Sequence, residues 1–117
     1  MDDITFEKLV GQAIDILPKE FTEKLNNVAV TFQDFPTDYQ VRKARLPRWS
    51  LLFGLYEGVP QTKRGIYYSA VPDKITIFKN AILQVSQTEE QVREKVKQVV
   101  IHEIGHHFGL SDADMAK

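Results

Sequence analysis

All three histidines of this chain lie within six positions near its C-terminal end, in the segment HEIGHHFGLSD. His102 and His106 are four residues apart, and residues at this spacing lie nearly above one another on an α-helix. Their imidazole nitrogens can therefore reach one metal ion at the ~2.0–2.1 Å typical of zinc–nitrogen bonds. Glu103 lies roughly 60° from His106 around the helix, where it can accept a proton from a water molecule beside the ion. This HExxH spacing predicts a metal site that activates water.

The remaining histidine does not fit the same site. His107 lies roughly 140° around the helix from His102, so the two rings cannot bind one ion without breaking the helix. We therefore predict that His107 is not a ligand. The more common role for such a residue is packing in the core, or orienting the site through a hydrogen bond to a backbone carbonyl.

A catalytic zinc site needs a third protein ligand and an open fourth position. Beyond His107 the acidic residues are Asp112 and Asp114. Gly109 is a natural helix end because glycine adopts the left-handed conformation without strain. A reversal of the chain there would bring Asp112 back under the histidines. We predict Asp112 as the third ligand, with Asp114, an upstream residue or no third ligand as the alternatives.

A helix must carry this motif, and the sequence predicts one. Thr88 and Gln91 have the spacing of a capping box, and Glu89 and Glu90 suit the positive end of a helix dipole. Apolar residues then recur at helical spacing, at Val92, Val96 and Val99. The predicted helix leads directly into the histidines and ends at Gly109.

The elements that precede it alternate between helix and strand patterns. Ile4–Leu17 has a helical apolar period that Pro18 ends. Strand patterns rich in β-branched and aromatic residues occupy Val28–Phe32, Leu51–Tyr56, Ile66–Val71 and Lys74–Phe78. Pro72-Asp73 favours a hairpin between the last two. Asp34–Pro47 is predicted to be a long loop or a partly mobile segment.

This order predicts one α+β domain over residues 1–117. We expect a small mixed β-sheet with an N-terminal helix and a C-terminal active-site helix, the helices packing on one face of the sheet. The length suits a single hydrophobic core.

Composition excludes several classes of function. The chain is 43% hydrophobic and 26% charged, with a formal net charge of −1 and no cysteine, so it is not a disulfide scaffold or a broadly basic nucleic-acid binder. The run VRKARLPRW has four cations beside Trp49, a pattern typical of a solvated loop. The first residues, MDDITFEKLV, lack the basic-then-apolar pattern of a secretory signal, and no apolar run in the sequence approaches ~20 residues. We expect a cytoplasmic protein without nucleic-acid or membrane partners, and no feature indicates an oligomeric state.

The segment HEIGHHFGLSD matches the pattern HExxHxxGxxD with Gly109 and Asp112 in register. It resembles the zincin superfamily of metallopeptidases, in the metzincin-like form where aspartate replaces a third histidine. The segments LFGLYEGVP and KITIF look like those of small bacterial proteins with a minimal zincin-like fold, so the likeness extends from about Leu46 onward.

This resemblance implies a zincin-like fold and a peptide or protein substrate. It also implies that His102, His106 and Asp112 hold Zn²⁺, while Glu103 is the general base. An extended substrate would add to a sheet edge, for which Ile66–Val71 or Lys74–Phe78 is our expectation.

The sequence departs from metzincins after the motif. Only five residues follow Asp112, so the downstream methionine turn and tyrosine of that group are missing. Met115 could replace the methionine, and Tyr56, Tyr67 or Tyr68 could supply the tyrosine.

Two alternatives to a peptidase remain. A metal-binding protein without peptidase activity would share the ligands. A small metal-dependent nuclease would use three histidines, and Glu103 argues against it.

Overall fold

The computed structural model describes residues 1–46, 50–58 and 72–109. Within these residues five helices and three strands follow one another along the chain. The elements are α1 (Asp3–Asp15), α2 (Lys19–Lys24), β1 (Val28–Gln33), α3 (Asp38–Ala44), β2 (Gly54–Glu57), β3 (Asp73–Phe78), α4 (Lys79–Gln84) and α5 (Glu89–Phe108).

The three strands form a mixed sheet in the order β1-β3-β2. β1 runs parallel to β3, with Val30 opposite Ile75, and β2 runs antiparallel to it, with Leu55 opposite Thr76. The predicted mixed sheet is confirmed. The prediction that Lys74–Phe78 forms a sheet edge is wrong, because β3 is hydrogen-bonded on both sides.

The N-terminal helix begins at a side-chain cap. The Asp2 carboxylate accepts a hydrogen bond from the Thr5 backbone N–H at 2.8 Å, which satisfies one of the donors left unpaired at the helix start. α1 ends before Pro18, as predicted, and α2 begins directly after it. α1 packs against α5.

The main core lies between the sheet and these two long helices. Its fully buried large side chains include Phe6, Leu9, Phe21, Ile75, Ile77, Ile82, Val92, Val96, Val100 and Ile104. Burying each such side chain contributes about 1.5–3 kcal/mol to folding. Ile75 and Ile77 alternate along β3 and place this core on one face of the sheet.

The other face of the sheet is also covered, which the prediction of helices on one face did not include. Leu55, Phe78 and Ala81 form a second buried cluster, against which Ala44 and Leu52 pack. These residues come from β2 and the segment before it, from the end of β3, from α4 and from the end of α3. None of the helices in the described ranges is long and apolar enough to cross a membrane.

The described part of the segment Asp34–Pro47, residues 34–46, is not the long loop that we predicted. It contains α3, which starts with a full capping box between Thr37 and Gln40. Gln40 is only 5% exposed. Its amide donates to Gln33 and to Glu57, each at 3.0 Å, and so ties α3 to both β1 and β2.

The motif helix has the ends that the sequence predicts. The Thr88 hydroxyl accepts a hydrogen bond from the Gln91 backbone N–H at 3.1 Å. The Gln91 side chain accepts from the Gln87 N–H, one residue earlier than in a capping box. Gly109 ends α5 in the left-handed conformation, with φ of 67°.

Candidate metal centre

The two histidines predicted as ligands lie together on one face of α5. The ring centroids of His102 and His106 are 4.0 Å apart, with an angle of 49° between the ring planes. Both side chains are exposed, and both line a cavity of about 540 Å³. At this separation one nitrogen of each ring can reach a common ion at zinc–nitrogen distances of ~2.0–2.1 Å. The pair therefore fits half of a tetrahedral zinc site.

Glu103 lines the same cavity but faces the sheet. One oxygen of its carboxylate accepts a hydrogen bond from the Tyr56 backbone N–H at 2.9 Å. Burial raises the pKa of Glu103, and this effect is opposed by the Tyr56 N–H and by the charges of His102 and His106. A carboxylate with a raised pKa is better suited to take and return a proton near neutral pH.

The hydrogen bond to Glu103 comes from the outer edge of β2. Phe78 N–H donates to Phe53 C=O, and hydrogen-bonded and non-bonded positions alternate along an antiparallel pair. Tyr56, three residues after Phe53, is therefore at a non-bonded position, and its N–H points away from β3. α5 lies along that side of the strand.

A glycine allows this close approach of strand and helix. A Cβ atom placed on Gly54 would lie 2.5 Å from Cγ1 of Val99 and 3.2 Å from the Thr76 carbonyl oxygen. The first distance is shorter than carbon atoms tolerate, so β2 could not lie this close to α5 with a larger residue there. Gly54 interrupts a strand pattern in the sequence, and such a glycine is a known sign of close backbone approach.

Tyr56 is not placed to act as a metzincin-like tyrosine. Its hydroxyl donates to the Asp73 carboxylate at 2.7 Å, and neither residue lines the cavity. Its contribution to the site is the backbone N–H that holds Glu103. Nothing in the sequence signalled that role. Tyr67 and Tyr68 lie outside the described residues.

His107 packs against Tyr56. Its ring stacks on the Tyr56 ring at a centroid distance of 3.9 Å and an angle of 13°. It does not line the cavity with His102 and His106. The expectation that it packs in the core is wrong, because its side chain is exposed.

The rest of the cavity wall combines apolar side chains with two cations. The apolar lining comes mainly from Leu46, Leu51, Leu52, Phe53, Leu55 and Val99. Lys43 from α3 and Lys95 from α5 also line it. We did not single out these lysines as site residues, because a lysine is ordinarily a solvated surface residue.

Comparison with known proteins extends the resemblance beyond the motif. Residues 25–117 match the model of a family described as zincin-like metallopeptidases. The chain belongs to this zincin-like family. The match begins well before Leu46, where the resemblance seen in the sequence began, and it includes β1 and α3.

A solved structure has a similar fold. A conserved hypothetical protein from Thermo thermophilus is 20% identical, with a TM-score of 0.54 over 89% of this chain and 91% of that one. At this identity the likeness concerns the fold alone. No curated protein matches the chain.

The predicted third ligand of the zincin-like site is outside the described residues, as are its alternative Asp114 and the predicted floor residue Met115. In the ranges 1–46, 50–58 and 72–109, no three histidine, cysteine, aspartate or glutamate side chains come together to hold an ion. Asp112 therefore remains a prediction from the sequence. The predicted strand Ile66–Val71 and its hairpin also lie among the residues that are not described.

Proposed function

We propose that this zincin-like protein is a zinc-dependent metallopeptidase. His102, His106 and Asp112 would hold the zinc, and Glu103 would be the general base. The observation that carries the proposal is the meeting of two imidazoles and one half-buried carboxylate in a single cavity, within little more than one turn of α5.

The donor set supports zinc in particular. Two imidazoles and one carboxylate leave a fourth position open, which is the pattern of catalytic rather than structural zinc. When bound, zinc supplies a Lewis acid that polarises the scissile carbonyl and lowers the pKa of water.

Glu103 supplies the proton chemistry. Its carboxylate would accept a proton as water attacks the peptide carbonyl, and would then return that proton to the leaving amine. The Tyr56 N–H fixes one carboxylate oxygen, so the side chain is held at a defined height beside the two histidines. A carboxylate fixed in this way loses little conformational entropy when it adopts the position from which it accepts the proton.

A second candidate function is metal binding without peptide hydrolysis. It is favoured by the direction of the Tyr56 hydroxyl, which is bonded to Asp73. Among the described residues that line the cavity there is no tyrosine to support a developing oxyanion.

One experiment separates the two candidates. Zinc-loaded wild type and Glu103→Gln are compared on a library of quenched fluorescent peptides, with the zinc content of both proteins measured in parallel. We expect both to retain zinc and the variant to lose at least ~100-fold in rate, which is typical when a general base is removed. Equal rates in the two proteins would exclude the peptidase.

A further inference from the structure

We propose that the cavity selects peptides that carry a carboxylate about three residues from the apolar residue seated beside the histidines. Lys95 recognises that carboxylate. This inference rests on the proposed peptidase function and specifies its substrate class. The cavity volume of about 540 Å³ is within the range of ligand-binding sites and is large enough for a peptide segment.

Lys95 is placed to contact a peptide bound along α5. Lys95 precedes His102 by seven residues, which is nearly two full turns, so the two side chains project from the same face of α5. The rise of ~1.5 Å per residue separates them by roughly 10 Å along the helix. An extended peptide covers that distance in about three residues.

The Lys95 ammonium group has no acidic partner among the described residues. It lies 4.1 Å from the centroid of the Phe53 ring, and Lys43 lies 5.9 Å from that of Tyr39. The ion pairs of the described chain involve other lysines. A cation held over an aromatic ring keeps most of its charge available for an anionic ligand.

The cavity otherwise offers little negative charge to offset these lysines. Glu103 is the one acid among its described lining residues, and it is bonded to the Tyr56 N–H. Leucine and phenylalanine side chains form the wall between the two ends. A peptide with an apolar side chain against this wall and a carboxylate at the lysine end complements both features.

β2 runs alongside α5, and residues of the strand contact successive turns of the helix. Gly54 lies against Val99, and Tyr56 against Glu103. Two residues of strand and four of helix each advance ~6 Å, so strand and helix keep pace with each other. The distance along the cavity from Lys95 to His102 is therefore fixed, and it corresponds to a fixed number of residues of an extended peptide.

The test is a binding measurement that does not depend on turnover. Zinc-loaded Glu103→Gln is titrated into fluorescein-labelled, amide-capped peptides that share a central leucine. They carry Glu, Gln or Lys about three residues to either side of it. A further peptide with a free C-terminal carboxylate at that position distinguishes a chain end from a side chain as the source of the charge.

We expect the Glu peptide to bind about tenfold more tightly than the Lys peptide, since attraction in one replaces repulsion in the other. The preference should fade as salt is raised. Adding Lys95→Glu should reverse the order of the two peptides. Adding Lys97→Glu should not, because Lys97 lies on the same helix and is similarly half-buried but does not line the cavity.

If circular dichroism shows that Lys95→Glu does not fold, the milder variant Lys95→Gln replaces it. Lys95→Gln should abolish the preference for the Glu peptide. Equal affinity for the Glu, Gln and Lys peptides, or no binding of any of them, would overturn the proposal. The cleavage assay with wild type tests the peptidase separately, so charge-selective binding without cleavage would reject that function and leave the recognition site standing.

Discussion

The backbone nitrogen of Tyr56 and the carboxylate of Glu103 are 2.9 Å apart and join the edge of β2 to the C-terminal third of the motif helix. This hydrogen bond links two segments 47 residues apart in sequence. In the proposed peptidase, this hydrogen bond lets the backbone of β2 position the general base. The position of the Glu103 carboxylate relative to the two histidines then depends on how closely β2 approaches α5.

Gly54→Ala should disturb this approach. The new Cβ would lie within 2.5 Å of Val99, so strand or helix must shift, and we expect a loss of about 1–3 kcal/mol in the free energy of unfolding. Peptidase activity should fall even under conditions in which the variant is fully folded, because Glu103 moves relative to the histidines. Urea denaturation and the peptide assay measure the two effects.

Gly11→Ala is the matched control. A Cβ at Gly11, in the middle of α1, meets no atom within 4 Å, so the same substitution should stabilise the protein by about 0.5–1 kcal/mol. If the two alanine variants behaved alike, close packing at Gly54 would not be the reason for its glycine.

Gln40→Ala should loosen α3. The side chain is buried and bonds to Gln33, Glu57 and the Thr37 backbone, so its loss leaves partners unsatisfied and should cost about 1–3 kcal/mol in unfolding free energy. Hydrogen exchange should rise first in α3. Gln84→Ala, at an exposed site, should change stability by less than ~0.5 kcal/mol. A similar loss in both would show that the Gln40 network does not hold α3.

His107→Ala should lower the stability of the protein without changing the amount of zinc that it binds. Removing the ring that stacks on Tyr56 should cost about 0.5–1.5 kcal/mol in unfolding free energy, and His107→Phe should recover most of it. Zinc content should stay at the wild-type level in both. Loss of zinc from His107→Phe would show that His107 is a ligand after all.

The metal-free protein should show a pH dependence that comes from Glu103. Its folded pKa is raised, chiefly by burial, above the unfolded value, so the carboxyl contributes stability at pH values below the unfolded pKa. That contribution is lost as pH rises through the folded pKa.

The glutamine side chain in Glu103→Gln cannot ionise, so the loss of stability with rising pH that Glu103 causes is absent from this variant. In chelator-treated samples the variant should therefore gain stability relative to wild type as pH is raised from below to above the carboxyl range. Parallel curves of thermal melting midpoint against pH for the two proteins would contradict the assignment.

The site was more predictable from the sequence than the parts that support it. His102, Glu103 and His106 are four residues or fewer apart on a helix, so helical geometry alone places them together. Thr88 and Gly109 mark the helix ends through local capping rules. By contrast, the Tyr56–Glu103 hydrogen bond depends on the packing of a distant strand, which no local pattern encodes.

The fold was predicted in class but not in detail. The mixed sheet and its flanking helices follow from the apolar patterns. α3 was missed because the charges of Asp34–Pro47 resemble a loop, although Thr37 and Gln40 have the spacing of a capping box. The central position of β3 could not be read from its own residues, because strand order is set by long-range pairing.

The central claim is that His102 and His106 hold a zinc ion together, and elemental analysis tests it most directly. Wild type, His102→Gln, His106→Gln and His107→Gln are purified without chelators, supplied with micromolar zinc and assayed by mass spectrometry for metal per chain. We predict about one zinc per chain in wild type and in His107→Gln, and near-complete loss in the other two. A wild type that retains no zinc, or ligand variants that retain it fully, would contradict the account.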